Sequence, residues 1–316
     1  MSRPSRIVFF IAAAVVLATA GISPRALRAK SARQGQSAQQ APPTAGTTPA
    51  AAPGAGGQAG SPSGTPGAGG GWGRGGAREP DPIDFDDRAG YTDMFDGTTL
   101  TDWDGNPDIW KVEDGAIVGE RVAPAEGAPP TGFRQTFLVW QGGQPADFEL
   151  KLEIKLEGPG ADSGIQYRSF IAPMNAGRAG APPPDPREAK WNLDGYQFDF
   201  NFADTYPGQV VDGGGRGIIA FRGQVVRTEQ GKNPRLIATL GDRQELGGYF
   251  KIDDWNQVDL IARGDTMIQM INGHVMAMLI DDDTSKAKAS GLIGLQCAGP
   301  VGTKISFRNL RIRTIS

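Results

Sequence analysis

The stretch FELKLEIKL (148–156), continued by EGPGADSG (157–164) and IQYR (165–168), decides how this chain folds. Phe148, Leu150, Leu152, Ile154 and Leu156 alternate with Glu149, Lys151, Glu153 and Lys155. A period of two means a β-strand with one buried face and one wet face. The Gly-Pro-Gly and Asp-Ser-Gly steps supply a turn. A second strand follows, on which Ile165 and Tyr167 alternate with Gln166 and Arg168. Further on, YQFDF (196–200) sets Gln197 and Asp199 on one face. A polar strip running across neighbouring strands suits a binding groove. It equally suits the solvated face of an ordinary half-buried antiparallel sheet.

The same signals recur on both sides of this stretch. Asp114-Gly115 sits between WKVE and AIVG, and Asn272-Gly273 between TMIQMI and HVMAML. Both read as two-residue hairpin turns. Strands are also predicted at 137–140, 217–221, 255–263, 290–296 and 304–312. No segment carries a long amphipathic helical pattern. About a dozen short strands separated by Gly, Asn and Asp turns predict an all-β sandwich or barrel. Residues 170–190 are too long for a plain hairpin link. They form either a rim loop beside a site or an insertion.

The N-terminal quarter has another character. Arg3 and Arg6 precede an apolar run from Ile7 to Ala18, and Ala18-Thr19-Ala20 supplies small residues before a cleavage site. Residues 1–20 therefore read as an export signal, and the membrane enters only if that segment stays uncleaved. Residues 21–87, rich in Gly, Pro and Ala, read as a disordered linker, and 88–316 as the folded domain. Of the 32 Lys/Arg and 35 Asp/Glu, eight and one fall in residues 1–80, so the rest carries 24 and 34. That acidic balance argues against a nucleic-acid partner. The glycine-rich 213–215 lacks the helix and spacing of a phosphate-binding loop, so no nucleotide is assigned. Cys297 is the only cysteine, which excludes an internal disulfide.

Taken in order, FDG (95–97) with Leu100 and Trp103, VEDG (112–115), DFELKLEIKL (147–156), SGIQYR (163–168), GYQFDF (195–200), INGH (271–274), GLIGLQ (291–296) and ISFRNLRI (305–312) resemble the 3-keto-disaccharide hydrolase domain family. This family is also described as 3-keto-glucoside lyase and hydratase domains. The resemblance covers roughly residues 90–316. It implies a two-sheet antiparallel β-sandwich, a jelly roll of the concanavalin A-like lectin and glucanase type. It further implies a bacterial protein that is exported, periplasmic or secreted, with a concave sheet that holds an oxidised oligosaccharide or glycoside. Many relatives read G-x-E-x-Q where this chain has Gly195-Tyr196-Gln197-Phe198-Asp199. Many also have a histidine after the LQ, where this chain has Cys297-Ala298.

The chemistry that the resemblance implies starts from a 3-keto group, which acidifies the proton on C2. A base removes it, the group on C1 leaves, and water can add back to give net hydrolysis. The base needs a carboxylate or imidazole near C2, and the developing enolate needs a donor or a divalent metal. Asp199 is the first candidate base and Glu149 the second, with Arg168 as the forked donor. Gln166, Gln197, Tyr196 and Gln296 are the candidates for holding the sugar. Arg168 and Asp199 are expected to act as one unit, or else to form a structural ion pair. The alternative function is a noncatalytic carbohydrate-binding module on an exported tether. No cofactor is assigned. His274 reads as a hairpin surface residue, Asp281-Asp282-Asp283 as a solvated acidic turn or a calcium-capable loop, and Cys297 as a buried thiol.

Overall fold

The computed structural model describes residues 84–123, 126, 135–174, 185–201 and 207–315. The proposed signal and nearly all of the proposed linker lie outside the described residues. Gly76–Ser316 forms one unit. Its described part holds seventeen strands in two sheets.

The larger sheet is built around β6 (Phe148–Glu157), the strand that the alternation marks most clearly. β13 (Asn256–Arg263) pairs with one edge of β6 and β17 (Lys304–Thr314) with the other. The sheet continues outward from β13 through β14 (Thr266–Ile271), β15 (His274–Asp282), β11 (Gln224–Glu229) and β12 (Arg235–Thr239). Beyond β17 lie β4 (Ala116–Glu120) and β3 (Trp110–Glu113), and β1 (Thr92–Asp93) adds to β17. One pairing departs from the antiparallel expectation, because β11 runs parallel to β15.

The smaller sheet has the order β10 (Gly217–Ala220), β9 (Gln209–Asp212), β8 (Leu193–Asn201), β7 (Asp162–Ile171), β16 (Leu292–Ala298), β5 (Gln135–Trp140) and β2 (Trp103–Asp104). Two sheets with one apolar layer between them make the all-β sandwich. Phe148, Leu150, Leu152, Ile154 and Leu156 pack there against Ile165, Tyr167, Phe198, Phe200 and Leu295. Each such side chain contributes about 1.5–3 kcal/mol by leaving water.

Both hairpin turns form as read. Asp114 and Gly115 have φ of 50° and 74°, and Asn272 and Gly273 have 49° and 79°, the left-handed values that a two-residue turn requires. Strands β11 and β12 and the short helix α1 (Arg243–Gly247) carry no comparable signal. At 224–239 the apolar positions are interrupted by Arg227 and by a bulge after Val225.

One expectation about the larger sheet needs correction. Its outer face is not uniformly wet, because Glu149 and Lys151 are buried. The covering comes from the segment that leads into β1. Phe85 lies over Arg311 (4.6 Å to the ring centroid), and Tyr91 lies under Lys151 (5.2 Å) and Arg313 (4.8 Å). The Phe85 carbonyl accepts from Arg311 Nη2. Phe85, three residues before the expected start at 88, thus packs on this sheet.

Candidate functional site

The outer face of the smaller sheet is built from the motifs SGIQYR, GYQFDF and GLIGLQ. Register places Asp199 (β8) beside Gly164 (β7) and Gln209 (β9), and Gln197 beside Gln166 and Val211. Directly paired residues share a face, so Gln166, Gln197, Asp199 and Gln209 point to the same side. Gln296 of β16 pairs with Phe137 and joins that side. All five polar side chains are under a tenth exposed.

The amides are wired together. Gln197 Nε2 donates to Gln296 Oε1 (2.7 Å), and Gln296 Nε2 donates to Gln135 Oε1 (2.7 Å). This relay crosses β7, and it can do so because residue 164 is glycine. A Cβ there would lie 2.1 Å from Gln197 Nε2. Gln209 Nε2 donates to Asp199 Oδ2 at 2.5 Å. Ser169 Oγ donates to Gln166 Oε1 (2.8 Å), which leaves the Gln166 NH2 as the donor of that side chain.

One end of this face is closed by apolar packing. The 3₁₀ helix Pro186–Trp191 lays Trp191 on Phe137 and Val139, and Leu193 joins them. A Cβ at Gly294 would lie 2.3 Å from Leu193 Cδ1, so this glycine admits the leucine. Glu188 of the same helix accepts from Asn106 Nδ2 (2.5 Å) and from Thr136 Oγ1. The segment read as a rim loop or an insertion therefore contributes a helix beside the polar face. Its residues 175–184 lie outside the described residues.

Three of the candidate residues lie elsewhere. Arg168 leaves the face because β7 bulges after Tyr167, and its backbone takes φ of 45°. Gly291 admits the bulge, since a Cβ there would lie 2.5 Å from Ser169 O. The Arg168 guanidinium is buried and donates to the carbonyls of Ala146 (2.9 Å) and Gly264 (2.7 Å) and to Asp147 Oδ1 (3.0 Å). Its ion pair is with Asp147, not with Asp199.

Tyr196 points into the core, as its position next to Gln197 requires. It stacks on Tyr167 (5.6 Å between centroids) and donates to Asp281 Oδ2. Burial and the neighbouring Asp281 push its hydroxyl pKa above the usual range. Glu149 lies on the outer face of the other sheet, bonded to Arg313. Burial alone would raise its pKa, but hydrogen bonds from Tyr91 and Arg313 hold it below the usual value.

The sequence reading missed Gln209 and Gln135. Each stands on an outward position of a strand whose register is visible only in the sheet. His274 stacks on Tyr249 (3.4 Å between centroids) at the hairpin turn. Asp281 is not a solvated acid. Arg216 (2.7 Å), Thr228 (2.6 Å) and Tyr196 occupy its oxygens. The Cys297 thiol is buried, and burial pushes its pKa up to about 12. Among the described residues no three His, Cys, Asp or Glu side chains come together as a metal site. The donor set of the polar face is one carboxylate with neutral amides, which matches hydroxyl groups in both directions.

A family model described as the 3-keto-alpha-glucoside-1,2-lyase-like domain matches residues 90–313. The chain belongs to this family. The match spans β1 to β17 and includes all three motifs of the polar face. A search of curated proteins gave no match. Among solved structures, this chain is similar to a candidate glycosyl hydrolase from Parabacteroides distasonis ATCC 8503. The two are 17% identical, with 72% of this chain and 95% of that chain covered and a TM-score of 0.43. A carbohydrate-binding module from Bacillus subtilis is 12% identical over 71% and 96% of the two chains, with a TM-score of 0.38. A Bacillus subtilis protein with a galectin-like fold is 14% identical over 68% and 90%, with a TM-score of 0.41.

Proposed function

We propose that the polar face of the smaller sheet binds 3-keto-glucosides or 3-keto-disaccharides, and that Asp199 removes the proton on C2. The observation that carries this reading is the arrangement around Asp199. It is a buried carboxylate held by Gln209, in the same face as three further amides. A C2 proton next to a ketone is acidic enough for a carboxylate base in a water-poor site. Its electron pair moves into the enolate, and the C1–oxygen bond then breaks as the leaving sugar takes a proton. Addition of water across the resulting double bond completes a net hydrolysis. The enolate oxygen needs a fixed donor, and the Gln166 NH2 takes the part that the sequence reading gave to Arg168. Gln197 and Gln296 hold sugar hydroxyls. The family's description as 1,2-lyase-like supports elimination across C1 and C2. We place the protein outside the cytoplasm, on the reading of residues 1–20 as an export signal.

One observation favours a second reading, a noncatalytic sugar-binding domain. Gln197, a neutral amide, stands where the family resemblance implies a carboxylate in many relatives, and it is tied into the relay. The two readings separate on incubation with 3-keto-trehalose or a 3-keto-glucoside, with and without a divalent metal, and product detection by mass spectrometry. Turnover supports the enzyme. Binding without turnover under both conditions leaves the binding domain.

A further inference from the structure

Gln209 is 5% exposed and opposite Asp199 in the sheet register. An ionised carboxylate only accepts hydrogen bonds, so the side-chain NH2 must be the group that faces Asp199 Oδ2. That fixes the orientation of the amide and turns Oε1 the other way. Oε1 is buried and has no hydrogen-bond donor among the described residues. A buried amide oxygen without a donor is costly, and such atoms mark places where a ligand or a water completes the structure. The donor it lacks is an O–H or N–H group beside the carboxylate.

We infer that Gln209 is a specificity-determining residue that reads the 2-hydroxyl of the bound sugar. This rests on the reading of Asp199 as the base for the C2 proton. If Asp199 addresses C2, the hydroxyl on that carbon lies within one amide width of Gln209. The 2-hydroxyl donates to Oε1, while the NH2 keeps Asp199 Oδ2 in place. One side chain therefore orients the carbon to be deprotonated and the group that deprotonates it. A site built to accept a hydroxyl discriminates against a ligand that lacks it.

The test measures binding rather than turnover. Methyl 3-keto-α-glucopyranoside and its 2-deoxy form are titrated calorimetrically into the full chain and into Gln209→Met, which keeps the volume and removes both polar atoms. The wild type is expected to bind the 2-deoxy sugar about fivefold more weakly than the parent. Gln209→Met is expected to lose that discrimination and bind both sugars alike. Gln209→Asn, which stays polar but is one methylene shorter, covers the case in which the methionine variant does not fold, and it is expected to lose the discrimination too. Equal wild-type affinity for the two sugars overturns the inference, as does full discrimination in either variant. Binding with the expected discrimination but no turnover removes the proposed chemistry and leaves the Gln209 contact standing. Absence of any binding to the wild type removes both.

Discussion

Asp199 and Asp259 are both largely removed from water, yet their surroundings assign them different work. Asp199 receives a hydrogen bond from Gln209 and shares its face with amides. Changing it to Asn keeps the size and removes the base. The expected loss in kcat for a 3-keto-glucoside is about 10²–10⁴-fold, with sugar affinity changed far less. Turnover within threefold of wild type in the folded variant would show that another group is the base. Asp259 lies on the outer face of the larger sheet. Burial and the nearby Glu149 charge raise its pKa to about 7, against the pull of Lys151, Arg311 and Arg313. Its Oδ2 is 3.8 Å from Lys151 Nζ, and its Oδ1 is buried without a hydrogen-bond partner among the described residues. The unfolded chain loses this proton near pH 4, so between about pH 4 and pH 7 the folded protein holds more protons. The contribution of Asp259 to stability therefore falls as pH rises through that window. Asp259→Asn is expected to be more stable than wild type at pH 8 by about 4 kcal/mol and similar to it at pH 4. Thermal melts across that range check this. An unchanged difference between the two proteins at both pH values would refute the assignment.

At the scale of elements, β7 shows where alternation holds and where it stops. Up to Tyr167 every residue falls on the face that its parity predicts. After it, one extra residue in the bulge resets the register, and Arg168 turns away from Gln166. The arginine then joins the segment before β6, the β13–β14 turn and the Lys288 backbone. Its expected role changes with its place. Arg168→Met takes the guanidinium donor away from three carbonyls and from Asp147, which keeps the Gly264 N–H, and should cost about 3 kcal/mol of stability. Sugar affinity per folded molecule should stay within about threefold, because the residue is not on the binding face. A melt and a titration on the same sample measure both. A selective loss of binding would return Arg168 to the site. The bulge leaves no mark in a pattern of apolar and polar residues, so local sequence could not announce it.

At the scale of the whole molecule, the larger sheet carries its own cover. Phe85 and Tyr91 lie across Lys151, Arg311 and Arg313, and bury polar groups that the strand pattern alone would leave wet. A chain beginning at Asp84 is expected to melt cooperatively at the temperature of the full-length protein. A chain beginning at Thr92 loses the two rings that cover those groups. By transfer free energy that is about 3–5 kcal/mol, or a fall of about 6–20 °C in a domain of this size. Equal melting temperatures for the two truncations would show that the segment adds nothing to the fold.

By itself the sequence determined the all-β class, the two Asx-Gly hairpins, the apolar face of β6, the family resemblance and the presence of Gln166, Gln197, Asp199 and Gln296 on outward strand positions. All of these follow from backbone periodicity and turn chemistry, which act between near neighbours along the chain. Tertiary structure alone decided which outward faces meet. It set Glu149 on the other sheet from Asp199, turned Arg168 away through a bulge, brought Gln209 from β9 to the carboxylate, and let Gln197 cross Gly164 to reach Gln296. The reason is that strand order and register are set by packing across the whole sandwich. A side chain's parity says which way it points, but not what the sheet places beside it.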